Sequence, residues 1–194
     1  ERMKRYGSFC LTIEDPPELK LYGAHGSGFC IQTEAKAGEF AYHLKGAMRS
    51  YPVINGSILY VGETRDSETA TELLRVVTNG HLVFTTLHGS DIMTSISRFI
   101  TMCSGKAFSE EDVKHILAST LRLVIHQRLL DVPALGNKPA RKKLETEFLF
   151  SPDASSPVAQ KIRSSTLHEI KSIIEQQKTT AKHKGIEELM KQWS

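Results

Sequence analysis

No stretch of this 194-residue chain approaches the ~20 consecutive apolar side chains needed to cross a bilayer, and no signal-peptide pattern opens it. Direct membrane insertion is therefore not expected. Cysteine is scarce. Cys10, Cys30 and Cys103 are scattered, and no two have CxxC spacing, which argues against a zinc knuckle and against a disulfide framework. A reducing, cytoplasmic setting fits that usage. Neither sign of charge dominates, and the formal net charge is only +3. The basic clusters, Arg2, Lys4 and Arg5 at one end and Lys178 to Lys184 at the other, lack interleaved aromatics. Nucleic acid is therefore not expected as a partner, and the second cluster reads as a solvated helix surface. There is no internal repeat and no low-complexity tract. Nor is there a GxxxxGK[ST] loop. Gly26-Ser27-Gly28 has no such ending, and Phe29-Cys30-Ile31-Gln32 after it reads as a strand, which excludes a phosphate loop there.

What is present suffices for one well-buried domain with a helical appendage. Glu1 to Arg5 reads as the end of a polar helix, so the chain is expected to be a fragment. Phe9-Cys10-Leu11-Thr12-Ile13 is a strand candidate that ends in Glu14-Asp15, and Pro16-Pro17 stops it. Phe29 to Gln32 is another strand. Residues 35 to about 50 repeat apolar groups at helical spacing through Phe40, His43, Leu44, Ala47 and Met48. Tyr51-Pro52 closes that helix, and Asn55-Gly56 turns the chain into Ile58-Leu59-Tyr60-Val61. This short apolar run reads as a buried strand, with Gly62 freeing the backbone and Glu63 delivered at its end.

Residues 69 to 77 read as a helix stopped by Asn79-Gly80. A strand follows between His81 and His88. Helices are expected around Ile92 to Ile100 and from Ser109 onward. Residues 121 to 130 fit helix or strand, and β-branched Val124 and Ile125 favour strand. Residues 131 to 143, rich in Pro, Gly and Lys, are expected as a loop at a hairpin tip, and Thr146 to Phe150 as a last strand. Beyond Pro152 and Pro157 the pattern is helical, with Leu167, Ile170, Ile173 and Ile174 as its apolar stripe.

Three strand ends thus bring Glu14, Glu63 and His88 toward one edge of a sheet, where open α/β sheets bind ligands. Each has a plainer reading. Glu63 fits a strand-to-helix turn with incidental charges, Glu14 and Asp15 fit a capped turn, and the two histidines fit structural roles. Their odd separation along one strand also argues against shared metal ligation. Together, however, two acids and a histidine suit phosphoryl transfer to water. One carboxylate can position the water, a second can organise Mg²⁺ through its waters, and the imidazole can sense a γ-phosphate.

Thr12-Ile13-Glu14-Asp15-Pro16, Val61-Gly62-Glu63-Thr64-Arg65-Asp66 and Gly80-His81 through Thr85-Thr86-Leu87-His88 resemble, in order, the Asp box, Walker B and His box of the secretion ATPase superfamily. This is the PilT/GspE group of type II and type IV secretion and type IV pilus motors. Gln127-Arg128-Leu129-Leu130 resembles its later QRL segment, and Phe40-Ala41 with Ala47-Met48-Arg49 its helix before Walker B. The resemblance covers roughly residues 8 to 150 and leans toward the DotB/TraJ-like type IVB branch.

The resemblance implies a partial RecA-like α/β ATPase core over residues 1–150, followed by a C-terminal helical region over 151–194. It implies ATP and Mg²⁺, with Glu63 as catalytic base and Glu14, beside Asp15, near the magnesium and the water, without direct metal ligation. His81 and His88 become His-box residues, His88 being the better γ-phosphate sensor, and Arg65 is structural or interfacial. It further implies a homo-hexameric ring, cytoplasmic and tied to the inner membrane through secretion or pilus components. The family's phosphate loop and its arginine-supplying N-terminal domain are expected before Glu1. Residues 51 to 57 lengthen the approach to Walker B. Alone, this chain is expected to bind ATP poorly and not to turn it over. The alternative is a non-catalytic RecA-like assembly module.

Overall fold

The computed structural model describes residues 2–50, 57–134 and 140–192. The expected helix stop at Tyr51-Pro52, the turn at Asn55-Gly56 and the centre of the 131–143 loop lie outside the described residues. Contacts divide the chain into two compact units, Glu1–His88 with Phe99–Ile116, and Gly89–Arg98 with Leu117–Ser194. From the sequence a boundary is expected at 150/151. The contact division instead groups the strand ending at Phe150 with the helices after it.

The first unit opens with a short helix, α1 (Arg2–Tyr6), and is built on a sheet of β1 (Phe9–Glu14), β2 (Gly23–His25), β3 (Gly28–Glu34), β4 (Ile58–Val61) and β5 (Leu82–Thr85). The strand order is β2-β3-β1-β4-β5. β3, β1, β4 and β5 run parallel, and β2 pairs antiparallel at the edge. The β2–β3 turn shows what Gly26-Ser27-Gly28 is for. Gly26 takes φ 67°, and a Cβ on Gly28 would stand 2.4 Å from the Ser8 carbonyl oxygen. The glycines allow a tight turn and a close approach, as the rejection of a phosphate loop requires.

Strand periodicity puts Leu11 and Ile13 of β1, Leu59 and Val61 of β4 and Val83 of β5 on one face. There they form a core with Phe40 and Leu44 of α2 (Phe40–Ser50) and Leu73 and Val76 of α3 (Ser67–Thr78). Ile13, Leu44 and Val61 are fully buried, each contributing about 2 kcal/mol of apolar transfer. α2 begins at Phe40, later than expected, because Gly38 takes φ 86° just ahead of it. α3 ends as the sequence indicates, with Asn79 as its cap and Gly80 at φ 89°.

α4 (Ile92–Cys103) and α5 (Glu110–Thr120) each run from one unit into the other. The second unit carries the hairpin β6 (Leu123–Val132) and β7 (Arg141–Phe150), so the ambiguous 121–130 segment is a strand, and the expected 131–143 loop is shorter than its bounds because Asp131 and Val132 pair with Lys142 and Arg141. Helices α6 (Pro157–Arg163), α7 (Ile170–Lys184) and α8 (Ile186–Gln192) follow, with a single 3-10 turn at Leu167–Glu169. The helical region is interrupted where Ser165 takes φ 61° and Gly185 φ 86°. Ile170, Ile173 and Ile174 are buried, with Leu167 only half-buried, and Lys178, Lys182 and Lys184 are exposed. The fully buried Gln177 accepts from the Phe150 N–H and donates to the Phe150 carbonyl, both at 2.8 Å. Among the described residues no helix is long and apolar enough to cross a membrane.

Candidate functional site

β1, β4 and β5 are successive neighbours and run the same way, so their C-terminal ends share one edge. Glu14 is the last residue of β1, Glu63 lies just past β4, and His88 lies just past β5. A cavity of about 370 Å³ opens at this edge within the first unit. Glu14, Asp15, Glu18, Glu63, Arg65 and Thr86 form its polar side, and Pro16, Leu19, Leu21, Phe40 and Tyr60 its apolar side.

Glu63 is held at both oxygens. Arg65 Nε donates to Oε2 at 2.7 Å, and His88 Nε2 lies 3.0 Å from Oε1. The Arg65 guanidinium also reaches toward Asp15, with Nη1 3.9 Å from Oδ2. Arg65 therefore stands in the cavity wall, tying the acid beyond β4 to the acid beyond β1. Asp66 is different in kind. It caps α3, its carboxylate accepting from the Thr69 N–H and hydroxyl at 2.8 Å each, and so starts the helix that leads away from the site.

Three threonines fasten the two strand exits together. The Thr64 N–H donates to the Thr86 carbonyl at 2.9 Å, and the Thr86 hydroxyl to the Gly62 carbonyl at 2.5 Å. The Thr64 and Thr85 hydroxyls lie 2.8 Å apart. β5 consequently stops at Thr85, short of the expected run to Leu87. Gly62, expected to free the backbone after β4, does so without a positive φ. It continues the sheet, donating to the Ile13 carbonyl at 2.8 Å. A Cβ there would meet Glu14 at 3.4 Å, in ordinary contact.

Glu14 is buried and accepts at Oε1 from Gln32 Nε2 of β3 at 2.9 Å. Sequence reasoning missed Gln32, which looked like one more strand residue. The available signal was its place in the parallel register, opposite Thr12 and one diagonal from Glu14. His81 is not brought to the cavity. It lies buried at the N-terminal end of β5, away from the edge where His88 stands, and burial pushes its pKa below 6.5. Among the described residues, no group of three or more His, Cys, Asp or Glu side chains is placed to hold a metal ion.

The arrangement offers a carboxylate steadied by a guanidinium and an imidazole, and a second carboxylate steadied by an amide. Both face a cavity large enough for part of a nucleotide. The family described as type II/IV secretion system protein matches residues 3–193. The chain is 33% identical over 128 residues to the type II secretion system protein E of Xanthomonas campestris pv. campestris, covering 66% of this chain and 20% of that protein. It is 29% identical over 140 residues to the type IV pilus retractation ATPase PilT of Pseudomonas aeruginosa, covering 66% and 40% respectively. Among solved structures, the pilus retraction motor PilT with bound ADP superposes with TM-score 0.69 at 28% identity, over 94% of this chain and 52% of that one. The ATPase DotB of Legionella pneumophila superposes with TM-score 0.64 at 27% identity, over 84% and 44%. The α/β architecture implied by the resemblance is thus the one these ATPases share. The chain spans less than half the length of the curated relatives named here.

Proposed function

The chain belongs to the type II/IV secretion system protein family, and from that premise we propose that it is the catalytic part of a motor subunit that hydrolyses ATP to drive protein secretion, conjugative transfer or type IV pilus movement. One observation carries the reading. Parallel strands deliver Glu63 and Glu14 to the rim of one cavity, and His88 from the next strand touches the Glu63 carboxylate.

In this reading Glu63 orients the attacking water and accepts its proton. Arg65 keeps Oε2, which fixes the direction of Oε1. His88 occupies Oε1 here, and its side chain is 86% exposed, so it can turn at little packing cost. When it turns to a γ-phosphate oxygen, Oε1 is released to the water. Glu14, with Asp15 beside it, would hold Mg²⁺ through the ion's own waters. Bound there, Mg²⁺ would neutralise charge on the phosphates. The phosphate cradle has no counterpart in these 194 residues, so the proposal places a GxxxxGK[ST] loop elsewhere in a longer polypeptide. The greater length of the relatives supports that placement. The same reading makes the working form a cytoplasmic homo-hexamer that meets the membrane through partner proteins.

The test is Glu63→Gln in the full-length protein. Hydrolysis is expected to be lost while nucleotide binding persists, and wild-type turnover in this variant removes Glu63 as the base. A non-catalytic assembly module is the second reading, favoured by the missing phosphate loop. It predicts a full-length protein that assembles and hydrolyses nothing even with Glu63 intact. An efficient ATPase made from the present chain alone refutes the placement of the phosphate loop.

A further inference from the structure

The Gln32 side chain makes three hydrogen bonds, each to a residue that lines the cavity. Its Nε2 donates to Glu14 Oε1 at 2.9 Å and to the Leu19 carbonyl at 2.7 Å. Its Oε1 accepts from the Leu21 N–H at 3.2 Å. Both amide protons are therefore in use, one on a carboxylate and one on a loop. That loop, residues 15–22, supplies Pro16, Glu18, Leu19 and Leu21 to the cavity wall. Pro16 and Pro17 have no N–H to give, so the sheet cannot hold the loop by its backbone there. Beyond Gln32, the loop is fastened by His25 Nε2 on the Leu21 carbonyl at 2.8 Å and by the Tyr22 ring, edge-on to Phe29 at 5.6 Å.

We infer that Gln32 is a positioning residue that makes the loop over the cavity and the Glu14 carboxylate move together. The inference rests on the ATPase reading of the site. A ligand that presses on Leu19 or Leu21 shifts the amide that Glu14 is bonded to. Conversely, a Glu14 carboxylate drawn toward a hydrated cation pulls on the loop. Gln32 sits on β3, in register with the buried Thr12 of the neighbouring β1, so the connection runs through sheet backbone and one side chain. Losing it leaves Glu14 able to rotate away from the reacting geometry, which costs rate more than binding.

The experiment compares Gln32→Leu and Gln32→Glu in the full-length protein, each alone and in a Glu14→Ala background. Both single variants are expected to lower kcat by roughly ten- to a hundred-fold with KM for ATP unchanged. Gln32→Glu does not rescue, because it presents an oxygen to two acceptors. Amide exchange at residues 19–21 is expected to quicken in both. In the Glu14→Ala background, residual turnover is expected to be indifferent to residue 32, because the effect is transmitted through Glu14. Wild-type kcat in Gln32→Leu overturns the inference, and so does an equal drop with and without Glu14. Because the double variant carries the decision, a lowered melting midpoint does not cloud it. If Glu63→Gln turns over ATP normally, the ATPase reading fails. If Glu63→Gln is dead and Gln32→Leu is fully active, only the role of Gln32 fails.

Discussion

His88 Nε2 lies 3.0 Å from Glu63 Oε1, although the two residues leave different strands. The contact needs three things at once: β4 and β5 as parallel neighbours, Gly62 continuing the sheet, and the threonine fastenings of the two exits. His88 itself is exposed and packs against little. His88→Ala is therefore expected to leave the melting midpoint almost unchanged while cutting turnover of the full-length protein by roughly a hundred-fold. Steady-state kinetics beside a thermal melt checks this. Full activity in the variant removes His88 from the mechanism.

Asp66 stands three residues after Glu63 in the same charged stretch, yet its work is structural. Asp66→Ala is expected to cost about 1 kcal/mol of stability, and Asp66→Asn much less, since either oxygen-bearing side chain can cap α3. Turnover per folded molecule is expected to stay as it was. Urea titration of the three proteins, with activity normalised to folded fraction, separates Asp66 from Glu63.

Gln177 holds the backbone of Phe150 from inside the second unit. Gln177→Leu keeps the volume but leaves the partly buried N–H and carbonyl of Phe150 without their side-chain partner. The expected loss is about 2–4 kcal/mol, one desolvation penalty for each group. Equal urea midpoints for the variant and the parent protein contradict this.

His81 gives a pH dependence with a definite sign. Burial lowers its folded-state pKa below 6.5, so on acidification the unfolded chain takes up this proton first. The contribution of His81 is intact above pH 6.5 and declines as pH falls from there toward the lower folded value. His81→Phe is expected to lose less stability than the parent protein between pH 8 and pH 5.5 (chosen to lie about one to one and a half units either side of an ordinary imidazole pKa). Parallel losses in denaturant midpoint at the two pH values refute it.

Much of the site was legible because strands announce themselves as short apolar runs and their ends as charge. Cys10 to Ile13, Ile58 to Val61 and Leu82 onward each run into the residues that matter. Parallel order then does the rest, since neighbouring strands that run the same way must share an exit. Less legible was everything that depends on a diagonal or on a single polar side chain turned inward. Neither Gln32 nor Gln177 stands out in the sequence, because an amide's value lies in which groups it meets. β2, with only Gly23, Ala24 and His25, has too little side chain to signal a strand. His81 shared a motif with His88 but sits at the other end of the strand, a separation the residue count hinted at and the register makes plain.

The amide of Gln177 has a consequence for how the hairpin can meet other chains. At Phe150 it occupies the hydrogen-bonding positions that a third strand would need on the outer side of β7. At the opposite end of β7, Arg141, Lys142 and Lys143 are exposed and place like charges along the same border. β7 thus carries, at its two ends, features that disfavour edge-to-edge growth on its outer side.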